Sequence, residues 1–419
     1  MLSFFAGKTP KAILLQIEFY REDSPDFDEL KELALTAGVS IMGTLEARKD
    51  RPDPKFCIGG GKVDELAEAI RLRGATLAIF NHDLTPTQER NLTERLSCQV
   101  MSRTALILEI FSQRARTHEG KLQVELAHLG YQATRLVRGW THLERQRGGI
   151  GVRGGPGETQ LELDKRLLRG RMKSLKMELE KVKSQRHLGR ASREKSNTPC
   201  VALVGYTNAG KSTLFNRLAH AEVYAANKLF ATLDPTLRQI TLPHYGDVVL
   251  ADTVGFIRHL PHSLVDAFRA TLEEVTEADL LLHVIDASHP DYAIQREQVL
   301  KVLEEIGASD RPILEVMNKI DRCVLAPKPH TVSNEKGLPT QVWLSALNDE
   351  GLPLLETAIL SHLSESLFEG VLTLPPTRGD IRSTLYEWGA VQKEEVDEEG
   401  CFHLTLSVSQ LRLDVLRTK

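Results

Sequence analysis

Hydrophobic residues in the first 118 positions alternate between short apolar runs and a helical spacing of three and four. The apolar runs predict strands, and the helical spacing predicts helices between them. The strands are 12–19, 39–42 and 75–80, and the helices are 27–37, 63–73 and 86–96. Because alternating strands and helices are typical of a sheet covered by helices, we predict a small α/β domain over residues 1–118.

From Lys121 the pattern changes to that of two long helices, each with one apolar stripe. The first stripe comprises Leu122, Leu126, Leu129, Ala133, Leu136, Trp140 and Leu143, and the second comprises Leu161, Leu168, Met172, Leu175, Leu179 and Val182. Thr159 and Glu162 fit a capping box, which predicts that the second helix begins just after Glu158. Since each stripe needs an apolar partner, we predict an antiparallel helical hairpin over 119–196.

Six of the ten residues in the loop between these helices, 148–157, are glycine. One interpretation is a hinge, because glycine is flexible. The other is a loop that approaches RNA closely, with Arg147 and Arg153 supplying positive charge, and these neighbouring arginines favour it. After the hairpin, the polar and basic segment 184–199 predicts a linker.

Strand-like and helix-like runs alternate again over 197–366, which predicts a parallel sheet with crossover helices. The last part, 367–419, combines a short helical segment with an alternating, strand-like one and predicts a small C-terminal domain. The overall fold class is therefore α/β, with four parts in the order small α/β domain, helical hairpin, parallel-sheet domain and C-terminal domain.

Composition indicates the class of protein and its cellular compartment, but it says little about function. The 419 residues are 41% hydrophobic and 26% charged, which is ordinary for a globular protein. We expect no membrane span, because no apolar run reaches about 18 residues, and no signal peptide. The five cysteines form no C-x-x-C pair, so a reducing compartment fits. We expect a cytoplasmic monomer, with peripheral membrane association left open.

Charge is distributed unevenly along the chain. The net charge is −4, yet the segment from Arg135 to Lys195 contains 17 Lys and Arg against 7 Asp and Glu, a local balance of +10. Such an asymmetry indicates either a polyanionic partner or a solvated helix face.

The stretch Gly205–Ser212 fits the phosphate-loop pattern G-x-x-x-x-G-K-[ST]. A strand-like run, 200–204, precedes it, and 213–219 predicts a helix after it. In such a loop the backbone N–H groups and the helix N-terminus bind phosphate oxygens, Lys211 reaches the β and γ phosphates, and Ser212 ligates Mg²⁺. The sequence therefore predicts a nucleoside triphosphate site.

Further motifs supply the other parts of that site. Asp252–Gly255 follows a strand-like run, so its carboxylate can approach Mg²⁺ and its glycine N–H the γ phosphate. The carboxylate of Asn318–Asp321 can accept from the N1–H and the 2-amino group of guanine, a pair that adenine lacks. Ser345–Leu347 completes the base pocket, and Thr232 in the segment 229–235 can close over Mg²⁺. This order and spacing resemble a translation-factor-class GTPase.

We assign catalytic roles to Lys211, Thr232 and Gly255 and the Mg²⁺ ligands to Ser212 and Thr232. The complete set that we predict to bind nucleotide is Gly205, Tyr206, Thr207, Asn208, Ala209, Gly210, Lys211, Ser212, Phe230, Ala231, Thr232, Leu233, Asp234, Asp252, Thr253, Val254, Gly255, Asn318, Lys319, Ile320, Asp321, Ser345, Ala346 and Leu347. Asn208 also resembles the position at which some GTPases bind K⁺ beside the phosphates, so we expect K⁺ as a second cation.

Nearly the whole chain resembles the HflX family of ribosome-associated GTPases, least clearly after about Pro375. The segments that carry this resemblance are 113–125, 148–160, 205–212, 230–236 and 252–261. The resemblance implies a G domain at 197–366 and binding of GTP and GDP. It also implies that the GTP state binds the large ribosomal subunit and its RNA and splits stalled or inactive ribosomes, as after heat stress.

Position 256 is phenylalanine, whereas many signalling GTPases have a glutamine there that orients the attacking water. We therefore expect slow, partner-dependent hydrolysis. Two alternatives remain open. One is an ATP-dependent RNA-remodelling enzyme that uses the glycine-rich turn Gly59–Lys62, and the other is a regulatory GTPase whose target is not RNA.

Overall fold

The computed structural model describes residues 9–19, 26–139, 156–196, 198–220, 229–230, 232, 236–242, 245–257, 272, 274–325, 327–364, 367–387, 390–397 and 400–409. Most of the predicted glycine-rich loop, 148–155, lies outside these residues.

The N-terminal part is a small α/β domain, as predicted, and it is built on a four-stranded parallel sheet with helices on both faces. Its strands are β1 (Lys11–Phe19), β2 (Ser40–Lys49), β3 (Leu77–Phe80) and β4 (Gln99–Ser102), in the order β2-β1-β3-β4, and its helices are α1 (Phe27–Thr36), α2 (Gly60–Arg73), α3 (Pro86–Leu96) and α4 (Arg103–Arg114). β2 extends well beyond the predicted 39–42. The prediction was too short because the outer half of this strand is an exposed edge without an apolar pattern. α2 includes Gly60–Lys62, so most of the predicted turn is the first turn of a helix.

The sequence patterns did not predict β4 and α4. All residues of α4 from Arg103 to Ser112 are buried, so the helix has no polar face. A helix that is buried all round lacks the amphipathic period on which prediction relies. The sequence of α4 therefore carries only a weak helix signal, because the helix has no solvent-facing side.

The hairpin consists of α5 (His118–Gly139) and α6 (Pro156–Ser196). Arg171 Nη2 lies 2.7 Å from Glu125 Oε1, and Leu175 in the predicted stripe is fully buried. The helix start predicted after Glu158 was wrong, because Pro156, whose fixed φ suits the first helical position, begins α6. The linker predicted over 184–199 was also wrong for 184–196, where the structure continues α6 to Ser196. This segment is rich in Lys, Arg, Glu and Gln, which are good helix formers.

The third part is a seven-stranded sheet in the order β10-β11-β9-β8-β5-β7-β6. Its strands are β5 (Cys200–Gly205), β6 (Thr236–Leu242), β7 (Gly246–Asp252), β8 (Leu280–Asp286), β9 (Ile313–Asn318), β10 (His330–Ser333) and β11 (Pro339–Trp343), and its helices include α7 (Lys211–Leu218), α8 (Tyr292–Glu305) and α9 (Leu352–Ser364). The five central strands are parallel, as predicted, whereas the edge strands β6 and β10 are antiparallel to their neighbours. The carboxyl ends of β5, β7 and β9 therefore meet at one edge.

The C-terminal part is an antiparallel sheet in the order β12-β14-β13 with one helix. Its elements are β12 (Leu367–Leu374), α10 (Gly379–Glu387), β13 (Val391–Val396) and β14 (Phe402–Ser409). Leu385 of α10 and Leu404 and Leu406 of β14 are fully buried, so the helix covers one face of the sheet.

The N-terminal part packs against the edge of the third part that carries the predicted motifs. Phe230 lies edge-on to Phe111 of α4, with ring centroids 4.6 Å apart. Val254 and Ile257 also belong to the apolar cluster that contains α4. Phe230 and Val254, from two predicted nucleotide-binding segments, therefore pack against the N-terminal part.

Candidate nucleotide site

The phosphate loop connects β5 to α7, as the sequence predicts. Gly210 is the N-cap of α7 with φ +97, a conformation that favours glycine. A Cβ at this position would lie 2.3 Å from Asn318 Nδ2, so a larger residue would also displace the base-binding loop. The second glycine of the motif is thus required both by backbone conformation and by close packing.

Lys211 is buried at the start of α7 and folds back over the loop. Its Nζ donates to Gly205 O at 3.1 Å and to Tyr206 O at 2.8 Å. Burial lowers the pKa of the Lys211 ammonium to about 8, while the Asp252 carboxylate opposes this shift. A bound, negatively charged phosphate would therefore stabilise the Lys211 ammonium, in place of the solvation that water gives to an exposed lysine.

Three oxygen-bearing side chains from separate segments meet beside the loop. Ser212 Oγ lies 2.8 Å from Thr232 Oγ1 and donates to Asp252 Oδ2 at 2.7 Å. Thr232 Oγ1 donates to the same Asp252 oxygen at 2.9 Å. The structure therefore brings together three residues that the sequence analysis places around one Mg²⁺ ion.

Asp252 provides a test of whether this cluster fits a metal ion. The residue is fully buried, and its Oδ1 has no hydrogen-bond partner among the described residues. Burial raises the pKa of the Asp252 carboxyl, against the hydrogen bond from Ser212 and the Lys211 ammonium. A buried, unsatisfied carboxylate oxygen beside two hydroxyl groups fits a hard cation such as Mg²⁺.

Gly255 lies directly against the phosphate loop. A Cβ at this position would be 2.8 Å from Thr207 Cγ2 and 3.0 Å from Lys211 Nζ. The next residue, Phe256, pairs with the loop through its backbone: its N–H donates to Gly205 O at 3.1 Å and its carbonyl accepts from Thr207 N at 2.7 Å. The Phe256 side chain is buried in an apolar cluster and offers no polar group to a water molecule.

The base-binding motifs join through their side chains. Asn318 Nδ2 donates to Ala209 O at 2.9 Å, and Asn318 Oδ1 accepts from Ala346 N at 3.0 Å. Ser345 Oγ donates to Asp321 Oδ1 at 2.5 Å, which leaves the other Asp321 oxygen for a base edge. These bonds hold 318–321 and 345–347 as one wall.

Most of the predicted residues line one cavity of about 280 Å³. The cavity is lined by Thr207, Asn208, Gly210, Lys211, Ser212, Phe230, Thr232, Thr253, Gly255, Asn318, Lys319, Asp321, Ala346 and Leu347, together with Thr213 and Arg322. The structure also describes seven predicted residues that do not line the cavity: Gly205, Tyr206, Ala209, Asp252, Val254, Ile320 and Ser345. Ala231, Leu233 and Asp234 lie outside the described residues.

Sequence analysis missed two residues that contact the site. Asp286 Oδ2 accepts from Lys319 Nζ at 2.7 Å, and both side chains are largely buried. Asp286 ends the apolar strand β8, a signal of the same kind as that of Asp252. Glu29 of α1 accepts a hydrogen bond from the Tyr206 hydroxyl, and no local sequence signal marks this contact.

Comparisons with known proteins show which family this chain resembles. The families described as "GTP-binding GTPase N-terminal", "GTP-binding GTPase Middle Region" and "50S ribosome-binding GTPase" match residues 24–112, 114–193 and 200–319. A GTPase HflX from Escherichia coli (strain K12) is 53% identical over 94% of this chain and 92% of its own length, and one from Magnetococcus marinus is 49% identical over 84% and 81%. A solved GTP-binding protein from Sulfolobus solfataricus in complex with GDP is 25% identical, covers 84% of this chain and 98% of its own and has a TM-score of 0.45.

The fold and the family matches together define a P-loop GTPase, an enzyme that hydrolyses GTP. Within that class, the chain belongs to the HflX family. None of the described helices is long and apolar enough to cross a membrane.

Proposed function

We propose that the chain binds the large ribosomal subunit and its RNA in the GTP state and splits stalled or inactive ribosomes. The observation that carries this proposal is the exposed basic side of α6, where Arg166, Arg169, Lys173 and Lys176 face solvent. Positive side chains on a long rigid helix suit a phosphate backbone. The family description "50S ribosome-binding GTPase" supports the same target.

The proposal assigns the nucleotide-site residues their roles. Lys211 and the N–H groups of 205–212 hold the phosphates, and Asp321 with the wall at 345–347 holds guanine. Ser212 and Thr232 would ligate Mg²⁺, with Asp252 beside them. When bound, Mg²⁺ neutralises phosphate charge that develops during hydrolysis. Gly255 leaves room for its backbone to approach the γ phosphate.

Hydrolysis is then slow without a partner. Phe256 occupies the position after Gly255, and its buried side chain cannot orient the attacking water. The missing group must come from the backbone, from a cation such as K⁺ beside Asn208, or from the ribosome. Slow basal turnover suits a protein that must remain in the GTP state until it meets its target.

The domain division 1–118, 119–196, 197–366 and 367–419, a cytoplasmic location and a monomeric state belong to the same proposal. The glycine-rich loop at 148–157 would reach into ribosomal RNA from the end of the hairpin. Its backbone can lie close to a base or a phosphate, because glycine has no side chain.

Sedimentation with ribosomes, with GDP or with a non-hydrolysable GTP analogue, tests the proposal. We expect association with the large subunit in the analogue state, and a loss of light scattering when 70S ribosomes are mixed with the protein and GTP. Lys211→Ala is the control that removes nucleotide binding. Equal ribosome binding in both nucleotide states would contradict the proposal. If ATP competed with GTP for binding, the RNA-remodelling alternative would be favoured. If the protein did not bind ribosomes in either state, a regulatory GTPase with a target other than RNA would be favoured.

A further inference from the structure

Tyr206, the second residue of the phosphate loop, reaches out of the G domain into the N-terminal domain. Its side chain is buried, and its hydroxyl donates a hydrogen bond to Glu29 in the first turn of α1. These two residues are 177 positions apart in the chain. A side chain of the phosphate loop is therefore held by the neighbouring domain.

Glu29 is itself fixed by a buried polar network. Its other carboxyl oxygen accepts from Arg103 Nη2 at 2.5 Å, and the two side chains are only 6% and 4% exposed. Arg103 Nη1 donates to Asn81 Oδ1 at 2.9 Å, and Asn81 Nδ2 donates to Gln16 Oε1 at 2.6 Å. Such a buried network rigidifies its members, because breaking one bond leaves an unsatisfied polar group.

The position of this network in the N-terminal sheet is informative. Asn81 and Arg103 directly follow β3 and β4, so they stand at the carboxyl edge of the sheet. In the order β2-β1-β3-β4, the connections leave to opposite sides from β1 and β3. Open α/β sheets bind ligands at the crevice that such a switch in direction creates. Here Gln16 and Asn81 lie at that crevice. Asn81 is joined through Arg103 to Glu29, which accepts the hydrogen bond from the Tyr206 hydroxyl.

Tyr206 is also fixed through its backbone to the chemistry of the site. Its carbonyl accepts from Lys211 Nζ at 2.8 Å. The residues on either side of it, Gly205 and Thr207, pair with Phe256 next to Gly255. Any displacement of Tyr206 therefore moves a carbonyl that holds the lysine and the segment that approaches the γ phosphate.

A second carboxylate of α1 lies at the same domain boundary. Burial raises the pKa of the Glu32 carboxyl, while the Lys319 ammonium of the base-binding motif opposes this shift. Glu29 and Glu32 are three positions apart and so lie on one side of the helix. Glu32 therefore adds negative charge near Lys319, while the hydrogen bond to the G domain is made by Glu29.

From this geometry we infer that Glu29 is a positioning residue for GTP, acting through Tyr206 to hold the phosphate loop ready for nucleotide. The inference rests on the proposed assignment of Gly205–Ser212 as the phosphate loop. Because the bond holds the loop whether the phosphate is in its ground or its transition state, its loss should raise KM and leave kcat nearly unchanged.

The test is a double-mutant cycle in the full chain with Tyr206→Phe, Glu29→Gln and the double variant. The probes are fluorescent GDP for Kd and dissociation rate, and GTP for kcat and KM. We expect each single variant to raise Kd and KM about tenfold, which is close to the lower end of the loss for one hydrogen bond to a charged group. The double variant should be no worse than the weaker-binding single variant, because Tyr206→Phe removes the donor and Glu29→Gln removes the charge of the acceptor in the same bond.

The C-terminal domain provides a matched control. There the Tyr386 hydroxyl donates to Glu394 Oε2 at 2.6 Å, and Arg382 Nη2 donates to the other Glu394 oxygen at 2.9 Å. Tyr386→Phe and Glu394→Gln therefore make the same two changes to a bond of the same kind away from the site, and they should leave Kd, KM and kcat unchanged.

The possible outcomes separate the inference from its premise. If Lys211→Ala still binds GDP as the parent does, the phosphate-loop assignment fails. If Lys211→Ala loses binding while Tyr206→Phe keeps the parent Kd, only the role of Glu29 fails. Additive losses in the cycle, or a fall in kcat with unchanged KM, would also overturn it. Tyr206→Phe retains the buried ring, so the test stands even if Glu29→Gln, beside Arg103, folds poorly.

Discussion

The side chain of Asn318 ties the base-binding loop to the phosphate loop through the hydrogen bond from its Nδ2 to Ala209 O at 2.9 Å. The next residue, Gly210, passes so close to the same amide that a Cβ would lie 2.3 Å from Asn318 Nδ2. The two loops therefore share one packed junction, and nucleotide contacts at the phosphate and base ends are coupled.

Gly210→Ala tests this junction. The variant should reduce GDP affinity by at least about 100-fold, because the methyl group displaces Asn318 in addition to straining the backbone by about 1 to 3 kcal/mol. Fluorescent GDP titration measures the loss. Gly246→Ala is the control: Gly246 has φ +106, but a Cβ there would have no atom within 4 Å, so the variant carries the strain without the clash. Equal GDP binding by the two variants would show that the junction does not matter.

Asp321→Asn tests base recognition. The amide would present a donor where the N1–H of guanine needs an acceptor, so GTP affinity should fall about 100-fold or more and xanthosine triphosphate should become the better ligand. Competition with fluorescent GDP measures both affinities. The control is Asp349→Asn, which changes a nearby aspartate paired with Arg217 on the surface. Unchanged GTP affinity in Asp321→Asn would remove the assignment.

The site and the fold differ in how far the sequence predicts them. The segments of the nucleotide site were predictable because close packing at Gly210 and Gly255 leaves room only for glycine, and because strand ends place Asp252 and Asn318 at one edge of the sheet. The contact between Tyr206 and Glu29 was not, since it depends on how two domains meet. α4 was not predicted for another reason: a helix that is buried on every side has no polar face, so its sequence lacks the amphipathic period.

The lowered pKa of Lys211 predicts a pH-dependent stability in the nucleotide-free protein. Its folded pKa of about 8 lies below the ordinary 10.5, so between these values the unfolded chain binds more protons than the folded one. Stability must therefore rise with pH across that window. Relative to Lys211→Met, the parent should gain on the order of 2 to 3 kcal/mol from pH 8 to 10.5, at about 1.36 kcal/mol per pKa unit.

Urea unfolding at a series of pH values measures this gain. Lys301→Met is the control, because Lys301 is 68% exposed on α8 and its removal should leave the pH profile unchanged. Saturating GDP should flatten the parent curve, since phosphate stabilises the charged ammonium. Parallel curves for the parent and Lys211→Met would contradict the prediction.

Asn208 predicts a dependence on monovalent cations. It lines the nucleotide cavity in a left-handed conformation, φ +62. We propose that its side chain helps hold a K⁺ ion beside the phosphates. Such an ion would supply the positive charge that an arginine supplies in other GTPases. Without ribosomes, GTP hydrolysis should be faster in K⁺ than in Na⁺ at equal ionic strength, and Asn208→Ala should remove the difference. Equal rates for the parent in the two salts would exclude this role.

The basic side of α6 predicts how ribosome binding responds to salt. Lys173 and Lys176 are exposed, whereas Arg171 is paired with Glu125 of α5 at 2.7 Å. Free cations that contact RNA phosphates release counterions, and each lost contact should lower the slope of log K against log salt by about 0.7 to 0.9. Lys173→Gln with Lys176→Gln should therefore weaken binding of the GTP-analogue state and flatten its salt dependence.

Sedimentation with large subunits at several salt concentrations measures that slope. Lys301→Gln on α8 removes an exposed lysine of the G domain and serves as the matched control, and Arg171→Gln should have a smaller effect because its charge is already neutralised by Glu125. GDP affinity should stay at the parent value in all these variants, since none of them contacts the nucleotide cavity. If the α6 variant and the Lys301 control gave the same slope, the positive charge of the helix would serve its solubility rather than RNA binding, and the ribosome contact would have to lie elsewhere on the chain.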